Sequence, residues 1–189
     1  YGFRIDAVAH LGRKDELIDS TMDTLGKYKP DWRMFSNLPV IFDYLREFKE
    51  NVFDKYDIVT IGEVGGGATP EEALRYSNLE AGSLNMVFNF DHCWSNNVWD
   101  LNKKEQVVVD LVNLKKNFRK WQYGLYGKAW TPIYWLNHDH PRLISQYGDP
   151  NNIYLSGSML GSSLYFMWGT PFVYQGEEIG MTNYPFRTI

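Results

Sequence analysis

The sequence alternates between short apolar runs that end in polar or glycine-containing steps and longer stretches whose apolar residues recur at helical spacing. Parallel strands cannot be joined by a tight turn and need a crossover long enough to hold a helix. A strand-helix-strand order therefore points to β-α units around a mostly parallel sheet. Five strands are predicted, at residues 3–7, 57–64, 84–90, 131–136 and 171–174. Residues 39–56 repeat apolar side chains at Ile41, Leu45, Phe48 and Phe53, and residues 107–121 do so at Leu111, Leu114, Phe118 and Trp121. A third helix, rich in small residues, is predicted over 153–168. Thr69 before Pro70 marks the start of a short helix, with threonine as cap and proline at the first helical position.

This order allows either an open doubly wound sheet or part of a (β/α)8 barrel. Gly65-Gly66-Gly67 follows a strand but lacks the G-x-G-x-x-G spacing and the Lys-Ser/Thr pair of a phosphate loop, so it reads as a plain loop. Lys103-Lys104-Glu105 reads as a solvated face. Nineteen basic against 23 acidic side chains give a net charge of -4, which offers no footprint for nucleic acid and no polybasic patch for a membrane. Cys93, the single cysteine, excludes an internal disulfide framework and leaves both reducing and oxidising compartments open. The weakly polar run 153–174 is interrupted by Gly157, Gly161, Gly169 and Pro171, so no transmembrane helix is expected. No stretch reads as a secretory signal, and the cytoplasm is the expected location, with secretion left open. Aromatic residues make up 16% of the chain, more than a core of this size needs, and flat rings with a polar tip suit stacking on sugars or bases. Without a basic patch, sugars are the expected partner.

Residues two apart on a strand point to one face, so Arg4 and Asp6 lie side by side while Phe3 and Ile5 turn toward covering helices. The expected ion pair faces a barrel interior, where a guanidinium keeps a neighbouring carboxylate ionised; that suits a nucleophile. A salt bridge serving structure alone is the competing reading. Ile61-Gly62-Glu63-Val64 puts Glu63 at the carboxyl edge of the second strand, and Trp135-Leu136-Asn137-His138-Asp139 puts Asp139 at the end of another. Three strand ends thus each deliver one carboxylate, at the edge where barrel enzymes carry their catalytic groups. Clustered like charges cannot all ionise comfortably, so one group must hold its proton near neutral pH. Glu63 has no cation adjacent in sequence and is the expected proton donor. One ionised and one protonated carboxyl are the equipment of glycoside hydrolysis. A metal site drawn from His138, Asp139, His140, Asp6 and His10 is the weaker chemical alternative, because neighbours in an H-D-H run do not easily converge on one ion.

Gly2 to His10 (GFRIDAVAH), Ile61 to Val64 (IGEV), Asn137 to Arg142 (NHDHPR) and Gly169 to Met181 (GTPFVYQGEEIGM) resemble, in order, four signatures of the α-amylase family of glycoside hydrolases. The ending Gln175 to Met181 and the stretch Leu84 to His92 are most similar to the oligo-1,6-glucosidase and α-glucosidase branch. The resemblance implies an α/β fold, the C-terminal part (strands 4–8) of a TIM (β/α)8 barrel. It implies a retaining hydrolase of α-glucosidic bonds in short oligosaccharides or disaccharides, acting by double displacement without a cofactor. Carried over by position, Asp6 is the nucleophile, Glu63 the acid/base and Asp139 the group that grips sugar hydroxyls as the transition state flattens. Arg4 orients Asp6, and His138 hydrogen-bonds the sugar on the non-reducing side of the cleavage point. Simple alternation puts His138 and Asp139 on opposite faces, so the chain is expected to be turning there.

Three departures qualify the resemblance. Ala9 stands where many α-amylases carry Lys, so a Lys-His acceptor site does not follow and His10 is left between a structural and a functional role. Ala7 is more like members acting on α-1,4 links than the Val of α-1,6-specific ones. The opening at Tyr1 inside a strand-like run reads as a piece of a longer chain. The family's first three strands, an inserted domain and a C-terminal β-sandwich domain are expected to lie outside these residues, and the chain is expected to need the rest of its barrel. A glucosyltransferase or sucrose isomerase on the same barrel, and a non-catalytic interaction module, are the alternatives. Trp135 and Tyr174 are expected to line a sugar cleft, and Phe118 and Trp121 to be helix packing.

Overall fold

The computed structural model describes residues 1–16, 18–20, 31–65, 67–96 and 109–185. Gly66, Lys103 to Glu105 and the first residues of the helix expected from Val107 lie outside the described residues. The chain forms two compact units, Tyr1–Asn89 with Leu125–Trp130, and Phe90–Gly124 with Thr131–Ile189.

The first unit is built on a parallel sheet in the order β1 (Gly2–Ile5), β2 (Val59–Glu63) and β3 (Met86–Phe88). Its register sets Arg4 opposite Ile61, Ile5 opposite Gly62, and Glu63 opposite Phe88. The strands are shorter than the apolar runs. At the start of β3, Asn85 brackets Thr60: its side-chain oxygen accepts the Thr60 N–H at 2.7 Å and the Thr60 hydroxyl at 2.9 Å. This side-chain bracket stands beside a backbone bond from the Asn85 N–H to the Thr60 carbonyl at 3.0 Å.

Helix α1 (Pro39–Asn51) opens on proline and buries Ile41 and Leu45 completely. Each such side chain contributes roughly 1.5–3 kcal/mol. The expected helix ran to residue 56, but the chain leaves it after Asn51 and makes a separate 3-10 turn, Phe53–Lys55. On a continuous helix, residues five apart sit about 140° apart around the axis. The break instead lets Phe53 stack on Phe48 at 5.9 Å and approach Phe3 at 6.3 Å. Helix α2 (Pro70–Ser77) starts as its sequence predicts. Thr69 Oγ1 accepts the Glu72 N–H, and the Glu72 carboxylate accepts the Thr69 N–H at 2.7 Å, a reciprocal cap.

The second unit holds a parallel pair, β4 (Pro132–Ile133) and β5 (Thr170–Pro171), with helices α3 (Leu111–Leu125), α4 (Leu143–Tyr147) and α5 (Ile153–Tyr165). Each strand contains a proline, which has no N–H to donate, so a two-residue ladder stands where longer strands were expected. The start of α3 is set by Asp110, whose carboxylate accepts the Asn113 N–H at 2.9 Å. Leu114, Ile133, Leu136, Ile144, Leu160 and Leu164 form the core, joined by Trp135. Phe118 and Trp121 are helix packing, as expected: Phe118 leans on Trp135, and the buried Trp121 donates its indole N–H to Asp91 at 2.8 Å. Among the described residues no helix is long and apolar enough to cross a membrane.

Two outcomes follow. A Cβ at residue 62 would come within 2.7 Å of Leu84 Cδ1 and 2.8 Å of Val8 Cγ1. Gly62→Ala is therefore expected to cost about 1–3 kcal/mol, read as a lower urea midpoint with an unchanged slope. His92, buried between Phe118 and Tyr134, is pushed down to about 4, first by burial and then by the nearby His140. In the unfolded chain it titrates near 6.5. Protons therefore bind the unfolded state preferentially between these values: the stability is complete above pH 6.5 and is lost as pH falls toward 4. The loss is about 3 kcal/mol, and His92→Gln should flatten that part of the stability-pH curve.

Candidate active site

Strand β1 ends where the chain turns sharply. Ala7 adopts a left-handed conformation, φ 44° and ψ 40°, and starts the 3-10 turn Val8–His10. Outside glycine such a conformation is uncommon and is held by its surroundings. Here Val8 and Ala9 are fully buried. Gly62, paired with Ile5, has no side chain to keep Val8 away from β2. The result brings the ends of two strands together, with Asp6 and Glu63 beside one another.

Arg4 serves both carboxyls. Its Nη1 donates to Asp6 Oδ1 at 2.6 Å and its Nη2 donates to Glu63 Oε2. The reading of Glu63 as a carboxyl without an adjacent cation is corrected: parallel pairing carries Arg4 across to it, a contact that sequence neighbours do not reveal. Its pKa is nevertheless raised. Burial is the main cause, hydrogen bonding and charge from Asp6 add to it, and Arg4 and the Ala7 N–H pull the other way. The environments of the two acids differ, since the Asp6 side chain is 75% exposed and that of Glu63 only 17%. β1 is an edge of its sheet among the described residues, and the Arg4 side chain is 40% exposed.

In the second unit the expected turn is present at residues 137–140, with the His140 N–H bonded to the Asn137 carbonyl at 3.3 Å. The Asn137 side-chain oxygen accepts the Asp139 N–H at 2.9 Å and contacts His140 Nδ1 at 2.6 Å. This turn overrides strand alternation and places His138 Nε2 3.4 Å from Asp139 Oδ1. Asp139 is 58% exposed, its carboxylate open to a ligand.

His10 contacts the Ser36 hydroxyl at 3.0 Å and lies against Trp32 and Phe35, with ring centroids at 5.1 and 5.6 Å. Trp135 does not line a cleft: it is buried and donates its indole N–H to the Leu160 carbonyl at 2.9 Å. Alternation near a strand end could not foresee that this ring turns inward to the core. Tyr174 is half-buried against the same core, with the Arg142 guanidinium 5.2 Å above its ring. The tryptophans that present surface beside candidate residues are Trp32, next to His10, and Trp94, edge-on to His140 at 5.2 Å. Sequence reasoning missed both, along with Asn137 and Gly62, because their roles come from contacts across the fold. For Asn137 a local signal existed, since Asn two residues before a turn position is a common turn former.

The alpha amylase catalytic domain model matches residues 1–188. Among curated proteins the chain is 41% identical over 194 residues to the probable oligo-1,6-glucosidase 2 of Bacillus subtilis (strain 168) and 42% identical over 193 residues to the oligo-1,6-glucosidase of Halalkalibacterium halodurans. In both cases the alignment takes in 100% of this chain and 33% of the relative, so the chain spans about a third of the length of these proteins. Among solved structures, a mutant trehalose-6-phosphate hydrolase of Bacillus licheniformis superposes with a TM-score of 0.86 at 34% identity, over 100% of this chain and 33% of that one. An isomaltulose synthase from Klebsiella superposes with a TM-score of 0.83 at 29% identity, with the same coverage. The β-α units described above are part of a TIM barrel, and the chain belongs to the alpha-amylase catalytic domain family.

Proposed function

We propose that this chain carries the reacting groups of a retaining glycoside hydrolase that cleaves α-glucosidic bonds of short oligosaccharides or disaccharides. The observation that carries the reading is the Arg4 fork, which joins an exposed carboxylate, Asp6, to a largely shielded one, Glu63, whose pKa is raised mainly by burial. Two acids with opposed environments are the arrangement that double displacement needs.

In the first step an Asp6 oxygen attacks the anomeric carbon while Glu63 gives its proton to the leaving glycosidic oxygen, producing a glycosyl ester on Asp6. In the second, the Glu63 carboxylate takes a proton from water as that water attacks the anomeric carbon and frees Asp6. Arg4 keeps Asp6 anionic for attack. Asp139 holds sugar hydroxyls as the ring flattens, with His138 beside it. The chain is read as strands 4–8 of the barrel, completed by the rest of the catalytic domain, and an inserted domain and a β-sandwich domain are assigned to the remainder of the longer protein. The exposed Tyr154, Leu155 and Met159 on α5 support a need for further covering structure.

The names of the relatives support α-1,6 links, α-glucosidic links of unstated position and trehalose 6-phosphate as substrate classes. Ala7, with its resemblance to α-1,4-acting members, favours α-1,4 links. Transfer or isomerisation of sucrose is the alternative chemistry, supported by the similarity to the isomaltulose synthase. Initial rates on maltose, isomaltose, sucrose and trehalose 6-phosphate, with product analysis, separate these outcomes.

In the full-length protein, Asp6→Asn is expected to abolish hydrolysis of both maltose and 4-nitrophenyl α-glucoside. Glu63→Gln should cut maltose hydrolysis by about 10²–10⁴-fold and spare the first step on the nitrophenyl substrate, whose leaving group departs without a proton. Because Glu63 also serves the second step, the readout is kcat/KM, which reports the first: an equal loss of kcat/KM on the two substrates would argue against Glu63 as the acid. Because Glu63 is raised, its protonated form persists above the usual carboxyl range, so kcat/KM should hold below that raised value and fall above it. Removing the Arg4 charge with Arg4→Gln should move this basic limb to higher pH, since Arg4 lowers the Glu63 pKa.

A further inference from the structure

The Tyr174 to Met181 segment, conspicuous in the sequence, supplies no reacting group, yet its backbone is elaborately held. The Tyr174 N–H donates to the Glu177 carboxylate at 3.0 Å and the Gly176 N–H to the Glu178 carboxylate at 2.8 Å. The Met181 N–H returns to the Gly176 carbonyl at 2.9 Å. Gly176 sits at φ +86°, and a Cβ there would collide with Met181 Sδ. These bonds leave the Gln175 carbonyl pointing at one partner, the Arg142 guanidinium, whose Nη1 donates to it while the guanidinium carbon lies over the Tyr174 ring.

The other end of the segment grips the same residue. The Arg142 N–H donates to Asn183 Oδ1 at 2.7 Å, and the Asn183 N–H donates to the Ser145 hydroxyl at 2.8 Å. Arg142 is therefore fixed through side chain and backbone, three residues beyond Asp139, with Pro141 limiting the freedom between them. On the other side the turn is fixed by Asn137. The Asp139 carboxylate itself touches His138 at 3.4 Å and is largely open to solvent. Packing does little to hold it, so its place depends on how the backbone is anchored on either side.

We propose that Arg142 is a positioning residue for Asp139, locking the turn 137–140 to the end of β5 through the Gln175 carbonyl and Asn183. The inference rests on the reading of Asp139 as the group that grips the sugar in the transition state. Misplacement of such a group by about 1 Å costs up to about 10²-fold in rate. The loss should fall on kcat more than on KM, because the contact strengthens as the sugar flattens.

The test is steady-state hydrolysis of 4-nitrophenyl α-glucoside by the full-length protein, expressed per folded molecule from its circular dichroism. Arg142→Ala should lower kcat by about 10–10²-fold with KM changed less than about threefold. Arg142→Lys, which keeps a charged donor for the Gln175 carbonyl, should recover part of that loss. In an Asp139→Asn background, Arg142→Ala should have almost no further effect, because two residues acting through one contact are not additive. An equal fold-loss in both backgrounds, or an Arg142→Ala enzyme with wild-type kcat, would overturn the proposal. Wild-type kcat in Asp139→Asn alone would instead sink the underlying role of Asp139, and the proposal with it.

Discussion

Val8 can lie against β2 only because residue 62 carries no side chain. That close approach, set by the pairing of Ile5 with Gly62, decides where β1 ends and where Asp6 comes to rest. It also accounts for the left-handed Ala7, since the chain must turn at once to bury Val8 and Ala9. Once the two strand ends are side by side, one guanidinium on β1 reaches both carboxyls. Burial then separates the pair: the Glu63 carboxyl, 17% exposed, has its pKa raised, while the Asp6 side chain is 75% exposed.

The fork has two opposed effects. Arg4 stabilises ionised Asp6, and the same charge works against the protonated state of Glu63, so an acid poised for proton donation requires burial to outweigh the nearby cation. At Glu63, burial and the neighbouring Asp6 outweigh Arg4, so its pKa is raised. In the second unit the design differs. Asp139 has little packing around it, and order is supplied by anchors in the backbone: Asn137 before it, Arg142 after it, and a segment from Tyr174 to Asn183 that receives Arg142.

Much of this was readable in advance. Each of the five expected strands overlaps an observed one, the last at Pro171 alone, and the three longer helices overlap their expected ranges, because apolar spacing reports which face an element must bury. The Thr69 cap was legible for a local reason, all its partners lying within three residues. The lengths were not legible. Asn85 bracketed Thr60 with its side chain at the start of β3, prolines shortened two more strands, and Phe53 left α1 to reach Phe48 and Phe3. The aromatic surplus divided in a way that composition cannot show: Trp135 went to the core, while Trp32 and Trp94 kept exposed faces beside His10 and His140.

Sequence alone determined the candidates and their order. The placement of Asp6 and Glu63 at strand ends, and of Asp139 in the segment after a strand, follows from residue type and spacing, and these are local properties. The tertiary structure decided the charge environment. Arg4 and Glu63 are 59 residues apart and meet only because parallel pairing brings β1 beside β2. Neither the cation on Glu63 nor the burial that overrides it can be read along the chain, since both are sums over neighbours that only folding brings within reach.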